Sequence, residues 1–255
     1  RARRPRRRRA LNVGDARGAT RAEVMAVAIA RRLRDGETIA VGSVSPIPAS
    51  ACLLAKRFHA PSSRLILLGS RAHFPFNGGV QEFYNFAVRG RLDVFFASGA
   101  QIDQHGNFNL SVIGEYEHPK VRLPGGRANG ILAFVAKRLI LFRTEHSRRV
   151  FVPRVDFVTA PGVPPEGAYR LGGLHAVVTD LCVFEFPRQR GRLELASVHP
   201  GVTLADVEAK TGFPLHAPTP APETAGPTEE ELALLRGPVR DELAVFYPEF
   251  VKQQS

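Results

Sequence analysis

SGAQIDQHGNFN (Ser98–Asn109) is the stretch that decides the fold, because it follows directly on the apolar run LDVFFA (Leu92–Ala97). A short run rich in Val and Phe is typical of a buried strand. The turn QIDQHGN therefore lies at the carboxyl end of that strand, which is the edge where open α/β sheets bind ligands. We expect a ligand to approach the chain at this turn.

A second glycine-bearing turn, LPGGRANG (Leu123–Gly130), leads into the apolar run ANGILAFVA (Ala128–Ala136). This pattern predicts a turn followed by the start of a helix. Glycines allow a substrate to come close to the backbone, and the first N–H groups of a helix are free to bond an anionic or carbonyl oxygen. The two turns together predict a binding site built largely from backbone.

Helical and strand patterns alternate along the first half of the chain, which is typical of an α/β protein. Thr20 and Glu23 have the spacing of a capping box and predict a helix over Ala22–Asp35. The further predicted elements are strand Glu37–Ser43, helix Pro48–Phe58, strand Arg64–Leu68, a loop at Ser70–Gly79, helix Gln81–Arg89, strand Leu92–Ala97, helix Ala128–Ala136 and strand Arg138–Thr144.

The residue pattern changes beyond Arg148, where three segments are rich in β-forming residues. They are RVFVPRVDFVTA (149–160), AVVTDLCVFEF (176–186) and RLELASV (192–198), and a helix is predicted again over Thr203–Lys210. The fold class is therefore predicted to be α/β, with a mixed, mostly parallel sheet and helices on both faces.

Composition divides the chain into three regions. We expect a disordered basic arm at 1–19, a globular domain at 20–213, and a proline-rich strap with a C-terminal helix at 214–255. The strap contains PLHAPTPAPETAGPT (Pro214–Thr228), where prolines are too frequent for regular structure, and the helix is predicted over Glu230–Arg236.

The net charge of +11 comes mainly from the arm, because seven of the first nine residues are Arg. Such a run could bind nucleic acid by releasing counterions. No aromatic residue is interleaved and no groove-reading element follows, so we favour a solvated extension and expect no nucleic-acid binding. The arginines lead into LNVGDARGATRAE instead of the apolar region of a secretion signal.

Cys52 and Cys182 are the only cysteines, and both lie in apolar patterns typical of a core. No disulfide framework is implied, so we expect a cytoplasmic location. Two cysteines alone cannot form a zinc site, and we expect no metal. The apolar segment Gly130–Phe142 is broken by Lys137 and Arg138 and is too short to span a bilayer, so we expect no membrane association.

Several enzyme motifs are absent from the sequence: GxGxxG, the P-loop, HExxH and GxSxG. His105 and His118 lie nearest the predicted site, but a lone histidine beside a turn is more often a surface residue than a base. Glu115 and Glu117 flank Tyr116, and we interpret them as solvated residues of an edge strand or loop, not as a coupled carboxylate pair.

Several segments together resemble one family. They are SGAQID, GNFN, IGEYEHPKVRLPGG (Ile113–Gly126), VTDLCVFEF (Val178–Phe186) and SVHPGVTLADVEAKTGF (Ser197–Phe213). From about Thr20 to Phe213, the chain resembles the β-type subunits of the heteromeric class I coenzyme A transferases, a group that includes glutaconate CoA-transferase and steroid-degrading relatives.

The resemblance implies a CoA-transferase-like fold and pairing with a homologous α-type subunit in a heterodimer or heterotetramer. It implies a coenzyme A thioester as substrate and no permanently bound cofactor. The family's glycine-rich loop lies by the thioester, where backbone N–H groups can stabilise a developing oxyanion. The residues expected to bind substrate or CoA are Gly99, Gln101, Asp103, Gly106, Asn107, Gly125, Gly126 and Asn129. Gln101, Asp103 and Asn107 are expected to shape the floor of the site, although Asp, Gly and Asn are also common turn formers.

One departure from the family matters for mechanism. The family's transferases attack acyl-CoA through a glutamate at the end of a strand that follows a His-Ala-Pro-like turn. Here His59-Ala60-Pro61 precedes the strand RLILLGSR, and Leu68 and Gly69 occupy the expected place of the glutamate. No carboxylate lies between Glu37 and Glu82, so the catalytic residue on this chain is unknown.

Three versions of the function stay open. In the first, the complex is a transferase and a carboxylate from elsewhere replaces the missing glutamate. In the second, it is a hydrolase that opens a cyclic ketone CoA thioester in steroid catabolism, with a base that activates water. In the third, the chain is a scaffold or ligand-sensing subunit without catalysis.

Overall fold

The computed structural model describes residues 18–253. Its α-helices are α1 (Arg21–Ala30), α2 (Pro46–Phe58), α3 (Gly79–Phe86), α4 (Gly126–Val135), α5 (Leu204–Lys210), α6 (Glu229–Leu234), α7 (Arg240–Phe246) and α8 (Pro248–Lys252). Its strands are β1 (Thr38–Val41), β2 (Arg64–Leu67), β3 (Val94–Ala97), β4 (Gln101–Ile102), β5 (Phe108–Asn109), β6 (Val112–Gly114), β7 (Pro119–Arg122), β8 (Arg138–Arg143), β9 (Leu174–Thr179), β10 (Cys182–Glu185) and β11 (Glu194–Val198).

Seven of these strands form one sheet in the order β11-β10-β9-β8-β3-β1-β2. The pairs from β2 across to β9 are parallel, and β10 and β11 add two antiparallel pairs at one edge. Two small antiparallel pairs, β4 with β5 and β6 with β7, lie outside this sheet. The predicted mixed, mostly parallel sheet is confirmed.

Both faces of the sheet are covered, which explains why the central strands are apolar throughout. In β3, Val94 and Phe96 join the core formed with α1, α2 and the C-terminal helices. Phe95 and Ala97 point to the other face and join the core that includes Phe83 of α3. Successive side chains of a strand alternate between faces, so a strand buried on both sides needs a continuous apolar run.

The capping box of α1 forms as predicted, because the Thr20 hydroxyl accepts from the Glu23 N–H (3.2 Å) and Glu23 accepts from the Thr20 N–H (2.7 Å). The helix ends at Ala30, earlier than the predicted Asp35. The N–H groups of Arg32 and Leu33 bond carbonyls three residues back, so the last turn tightens and the helix stops.

The segment 149–160, which is rich in β-forming residues, forms no regular strand. It carries single bridges only, from Phe151 to Ile102 and from Ala160 to Phe108. Pro153 interrupts it and has no N–H to donate to a ladder. Beyond the bridges, polar side chains hold this segment, as described below for the site.

The proline-rich strap lies along β11. Leu195 donates its N–H to the His216 carbonyl (2.8 Å). Val198 donates its N–H to the Pro222 carbonyl, and its own carbonyl accepts from the Thr224 N–H. The C-terminal region is longer and more broken than the single predicted helix. It kinks at Gly237 and Pro238 between α6 and α7, because proline disrupts the helical hydrogen bonds and clashes with the preceding turn.

The predicted loop at Ser70–Gly79 contains one short 3₁₀ turn, Arg71–His73. Most of the predicted basic arm, residues 1–17, lies outside the described residues. Across 18–253, no helix combines the length and apolar character needed to cross a bilayer.

Candidate functional site

The order of the central strands defines a crevice at the carboxyl edge of the sheet. From β1 the chain crosses to β2 on one side, and from β2 it returns to β3 on the other side of β1. The connections after β1 and β3 therefore leave in opposite directions, and α/β proteins bind ligands at such a switch point. The turn after β1 begins at Gly42, and the turn after β3 begins at Ser98, the first residue of the stretch that was predicted to border a site.

Asp103 organises the turn that follows β4. One carboxylate oxygen accepts from the N–H groups of His105 (2.9 Å) and Asn107 (3.1 Å), and the other accepts from the Asn107 side-chain amide (3.0 Å). The carboxylate is buried and occupied by these bonds. Asp103 therefore fixes the shape of the turn, in the manner of a turn-forming Asp.

Gln101 connects this turn to a distant part of the chain. Its side-chain oxygen accepts from the Asn109 amide (2.8 Å) and the Asp156 N–H (2.9 Å), and its amide donates to the Asp156 carboxylate (3.0 Å). The same Asp156 oxygen accepts from the Gly114 N–H (2.8 Å). A polar network of this kind fixes the segment 149–160 against β4 and β6 without a strand ladder.

An open cavity of about 580 Å³ lies beside this network. Asp103 and Asn107 form part of its wall, and the remaining wall is the run from Arg154 to Val158. Arg154 is exposed and supplies a cation to this wall, to which Asp103 and Asp156 also belong. The cavity thus offers both a cationic donor and polar acceptors to a ligand.

The second predicted group, Gly125, Gly126 and Asn129, forms the first turn of α4. Asn129 closes that turn by donating to the Gly125 carbonyl (2.6 Å). A Cβ on Gly125 would lie 2.7 Å from the Leu110 Cβ, and one on Gly126 would lie 2.7 Å from the Ser111 hydroxyl. The first turn of α4 thus packs against Leu110 and Ser111, which follow directly on the stretch Ser98–Asn109, but this second group is not part of the wall of the cavity.

Gly99 and Gly106 are required for packing. A Cβ on Gly99 would lie 2.7 Å from a side-chain carbon of Ile102. Gly106 has a φ of +69°, and a Cβ there would lie 2.5 Å from Leu174 and 2.8 Å from Phe186. Both glycines let the turn lie close to its neighbours, and these contacts are with protein side chains.

The end of β2 carries no carboxylate. Leu68 is half-buried and Gly69 is exposed, and a Cβ on Gly69 would lie 3.2 Å from the Ser43 carbonyl at the end of β1. The Tyr247 hydroxyl donates to the Gly42 carbonyl (3.2 Å), so the C-terminal helices reach this same edge. Sequence reasoning missed Tyr247, because nothing local in the sequence marks a contact across two hundred residues.

The histidines and cysteines near these elements have structural roles. His105 and His118 are exposed, as expected of surface residues. Cys52 and Cys182 are fully buried, and burial raises the pKa of each thiol far above its usual range. Glu115 and Glu117 are exposed between β6 and β7. Among residues 18–253, no cluster of three or more His, Cys, Asp or Glu side chains could hold a metal ion.

Other polar residues of this region escaped the sequence reasoning. Asn109 is completely buried and Thr159 accepts from the Leu110 N–H (2.8 Å). Asp156 and Arg154 lie inside a segment that was interpreted as β-rich. One signal in the sequence could have indicated that side chains hold this segment: Arg154 and Asp156 follow closely on Pro153, which interrupts a strand.

The profile of the coenzyme A transferase family matches residues 68–210, which is more than half of the chain. The chain belongs to the coenzyme A transferase family. It is 36% identical over 239 residues to the B subunit of 3-oxoadipate CoA-transferase from Pseudomonas knackmussii, an alignment that covers 84% of this chain and 91% of the relative. The B subunit of glutaconate CoA-transferase from Acidaminococcus fermentans is 32% identical over 248 residues, with 85% and 91% covered.

A third family member has a different reaction in its name. The IpdB subunit of the cholesterol ring-cleaving hydrolase from Mycobacterium tuberculosis is 30% identical over 240 residues, with 85% of this chain and 93% of the relative covered. Among solved structures, glutaconate coenzyme A-transferase from Acidaminococcus fermentans superposes with a TM-score of 0.78 at 30% identity, with 89% and 96% covered. IpdAB of Rhodococcus jostii superposes with a TM-score of 0.76 at 28% identity, with 86% and 94% covered. The predicted family and fold are confirmed.

Proposed function

We propose that this chain is the β-type subunit of a heteromeric enzyme that acts on acyl-CoA thioesters. The observation that carries the proposal is the extent of the likeness, since the related β-type chains align over more than nine-tenths of their own length. A likeness of this extent supports a shared architecture of the whole domain, whereas a single shared motif would not. The expected partner is a homologous α-type subunit, in a heterodimer or heterotetramer.

The acyl-CoA is proposed to bind at the carboxyl edge of the sheet, close to the turn after β3. Gln101, Asp103 and Asn107 would shape the floor of the site, and Gly125 and Gly126 would present backbone N–H groups to the thioester. Arg154 adds a cation at the cavity wall, which suits a carboxylate on the acyl chain or a phosphate of CoA. Coenzyme A enters as part of the substrate, and no resident cofactor is proposed.

A hydrolytic reaction is the second candidate, and one observation favours it. A covalent glutamyl thioester needs a carboxylate at the reacting position, and the end of β2 carries Leu68 and Gly69 there. The hydrolase version is therefore favoured over the transferase version unless the partner chain supplies the carboxylate. The scaffold or ligand-sensing version is disfavoured, because the glycine-rich turns that the resemblance associates with the thioester are intact in this chain.

A cytoplasmic location is part of the proposal. Both cysteines are unpaired and buried, which suits a reducing compartment. Acyl-CoA thioesters are the expected substrates, and the proposed enzyme would meet them there.

The test is turnover by the reconstituted pair. This chain, an α-type CoA-transferase homologue from the same source, and the two co-expressed would each be incubated with a panel of acyl-CoA thioesters, including dicarboxylic and cyclic ketone acyl groups. Free thiol release and CoA exchange onto an added carboxylate would be measured separately. We expect turnover only from the pair. Absence of both reactions for the whole panel, from a pair that co-elutes on size exclusion, would refute the proposal.

A further inference from the structure

Three side chains form a continuous hydrogen-bonded chain at the end of β2. The Ser70 hydroxyl lies 3.0 Å from Nδ1 of His73, and Nε2 of His73 lies 3.1 Å from Oε1 of Glu242. The other oxygen of Glu242 accepts from Arg57 at 2.6 Å. Glu242 lies in α7, so the chain joins the end of the central sheet to the C-terminal helices.

The order of donors in this chain is fixed by its ends. A carboxylate can only accept, so Nε2 of His73 carries the proton and donates to Glu242. In neutral His73 the other ring nitrogen, Nδ1, is then an acceptor, and the Ser70 hydroxyl donates to it. The imidazole is thus oriented by a carboxylate on one side and directed at a hydroxyl on the other. A nucleophile within reach of a base that a third group orients is the usual arrangement for nucleophilic catalysis.

The serine lies at the ligand-binding edge of the sheet. Ser70 follows β2 by three residues and is 6% exposed, while the neighbouring Gly69 and the Ser43 turn after β1 are exposed. The hydroxyl therefore lies at the carboxyl edge of the sheet, and the neighbouring Gly69 comes close to Ser43 in the turn after β1, one of the two turns that border the crevice. Phe246 packs against His73 with ring centroids 6.1 Å apart and holds the imidazole in place.

Four other side chains with nucleophilic chemistry, two thiols and two carboxylates, have structural roles. Cys52 and Cys182 are fully buried, with raised thiol pKa values. The carboxylates of Asp103 and Asp156 accept backbone and amide hydrogen bonds that hold the turn and the segment 149–160.

We propose that Ser70 is the nucleophile that attacks the acyl-CoA thioester, with His73 as general base and Glu242 as the group that orients His73. This inference rests on the proposed function. The Ser70 oxygen forms a bond to the thioester carbonyl carbon while its proton passes to Nδ1 of His73. The carbon–sulfur bond then breaks, and the CoA thiolate takes the proton from His73. Water then gives a proton to His73 and attacks the serine ester; the bond between the acyl carbon and the Ser70 oxygen breaks, the Ser70 oxygen takes the proton back from His73, and the acid is released.

The first experiment does not depend on the substrate. The co-expressed complex is treated with a fluorophosphonate, which reacts with activated serines, and the modified residue is mapped by mass spectrometry. We expect Ser70 to be labelled, and His73→Gln to slow labelling about 100-fold or more. Ser63→Ala is the matched control: Ser63 is also buried, lies just before the opposite end of β2 and bonds the Arg34 carbonyl, so its loss leaves labelling unchanged.

The second experiment uses acyl-CoA. Ser70→Ala and His73→Gln are each expected to lower thiol release about 100-fold or more, and Glu242→Gln by a smaller factor. Arg57→Ala removes the surface ion pair of Glu242 but keeps the contact between Glu242 and His73. It therefore tests whether the losses come only from loosening α7. A thermal melt of every variant verifies folding, and Arg57→Ala is expected to retain labelling.

The outcomes separate this inference from the proposed function. Acyl-CoA turnover that survives Ser70→Ala, or a fluorophosphonate that never labels Ser70, overturns the serine nucleophile and leaves the family function standing. Labelling of Ser70 that depends on His73, without turnover of any acyl-CoA, supports the activated serine and overturns the assignment of its substrate. If Arg57→Ala keeps its fold but loses both labelling and turnover, Glu242 acts only by fixing the position of α7. That result would overturn its role in orienting His73.

Discussion

Acidification should destabilise the fold through a buried histidine whose ring nitrogens contact two hydroxyls and a thiol. His146 is 4% exposed, and its ring nitrogens lie 3.0 Å from the Thr179 hydroxyl and 2.9 Å from the Thr211 hydroxyl. Its ring stacks on Phe151 with centroids 4.0 Å apart. Burial, aided by the positive charge of Lys210, lowers the pKa of His146 to about 3. The imidazole is therefore neutral in the folded chain.

His199 behaves in the same way. It is 3% exposed and lies 2.9 Å from the Thr179 carbonyl and 3.0 Å from the Thr224 hydroxyl. Burial lowers the pKa of His199 to about 4. The positive charges of Arg32 and Arg21 also lower this pKa, whereas the hydrogen bond to the Thr179 carbonyl raises it.

The direction and size of the effect follow from proton binding. In the unfolded chain both histidines bind a proton below their ordinary pKa of 6.5, whereas in the folded chain they stay neutral down to about 4 and about 3. Unfolding takes up protons in this window, so the free energy of unfolding falls as the pH drops below 6.5. At pH 5, about 1.5 units below the ordinary pKa, each histidine lowers the free energy of unfolding by about 2 kcal/mol, and the two together by about 4 kcal/mol. Burial raises the pKa of Asp180, which offsets a part of this loss at the acidic end.

Urea unfolding at pH 7 and pH 5 measures the effect, with His146→Gln as the comparison. Between the two conditions the unaltered chain should lose about 2 kcal/mol more of its free energy of unfolding than the variant, because one titrating group has been removed. An identical loss in both proteins would show that His146 is not buried as a neutral group and would refute the reasoning.

Three further predictions concern packing, the arm and the covalent chemistry. Gly162→Ala should lower the free energy of unfolding by about 3 kcal/mol or more, because a Cβ would lie 2.0 Å from the His105 carbonyl. Gly130→Ala inside α4, where the nearest contact of a Cβ would be 3.5 Å away, should raise the free energy of unfolding by about 0.5 to 1 kcal/mol. Equal urea midpoints for the two variants would contradict both expectations. Deletion of Arg1–Ala10 should leave turnover by the pair unchanged, since the family match covers residues 68–210, and salt-sensitive DNA binding lost on truncation would contradict this. Borohydride reduction during turnover should leave no reduced glutamate on this chain, and a modified glutamate mapped here by mass spectrometry would identify it as part of a glutamyl-thioester transferase.

The sheet could be predicted from the sequence because its strands are short, continuous apolar runs. The run VFFA of β3 is buried at every position, and the run TIAV of β1 is as well, so local pattern and final environment agree. Helix starts were also predictable where a capping box marks them, as at Thr20. Helix ends were less so, because the tightening of α1 after Ala30 leaves no mark in composition.

The site could be predicted only in part. The turn around Asp103 was found because its residues are neighbours in the sequence and are themselves turn formers. Asp156 meets Gln101 across 55 residues, and Glu242 meets His73 across a far longer separation. Such contacts depend on how the segments pack, and no local spacing encodes them. The segment 149–160 was predicted as β-rich from its valines, but side-chain hydrogen bonds to Asp156 hold it in place of a ladder.

Titration of this chain with its α-type partner tests the central claim most directly. With this chain at a fixed concentration and saturating acyl-CoA, increasing amounts of the α-type homologue should raise the rate of thioester turnover until the two chains are present in equal amounts, and then no further. Full turnover by this chain alone, or no turnover at any ratio although the two co-elute, would contradict its assignment as the β-type subunit of an enzyme that acts on acyl-CoA thioesters.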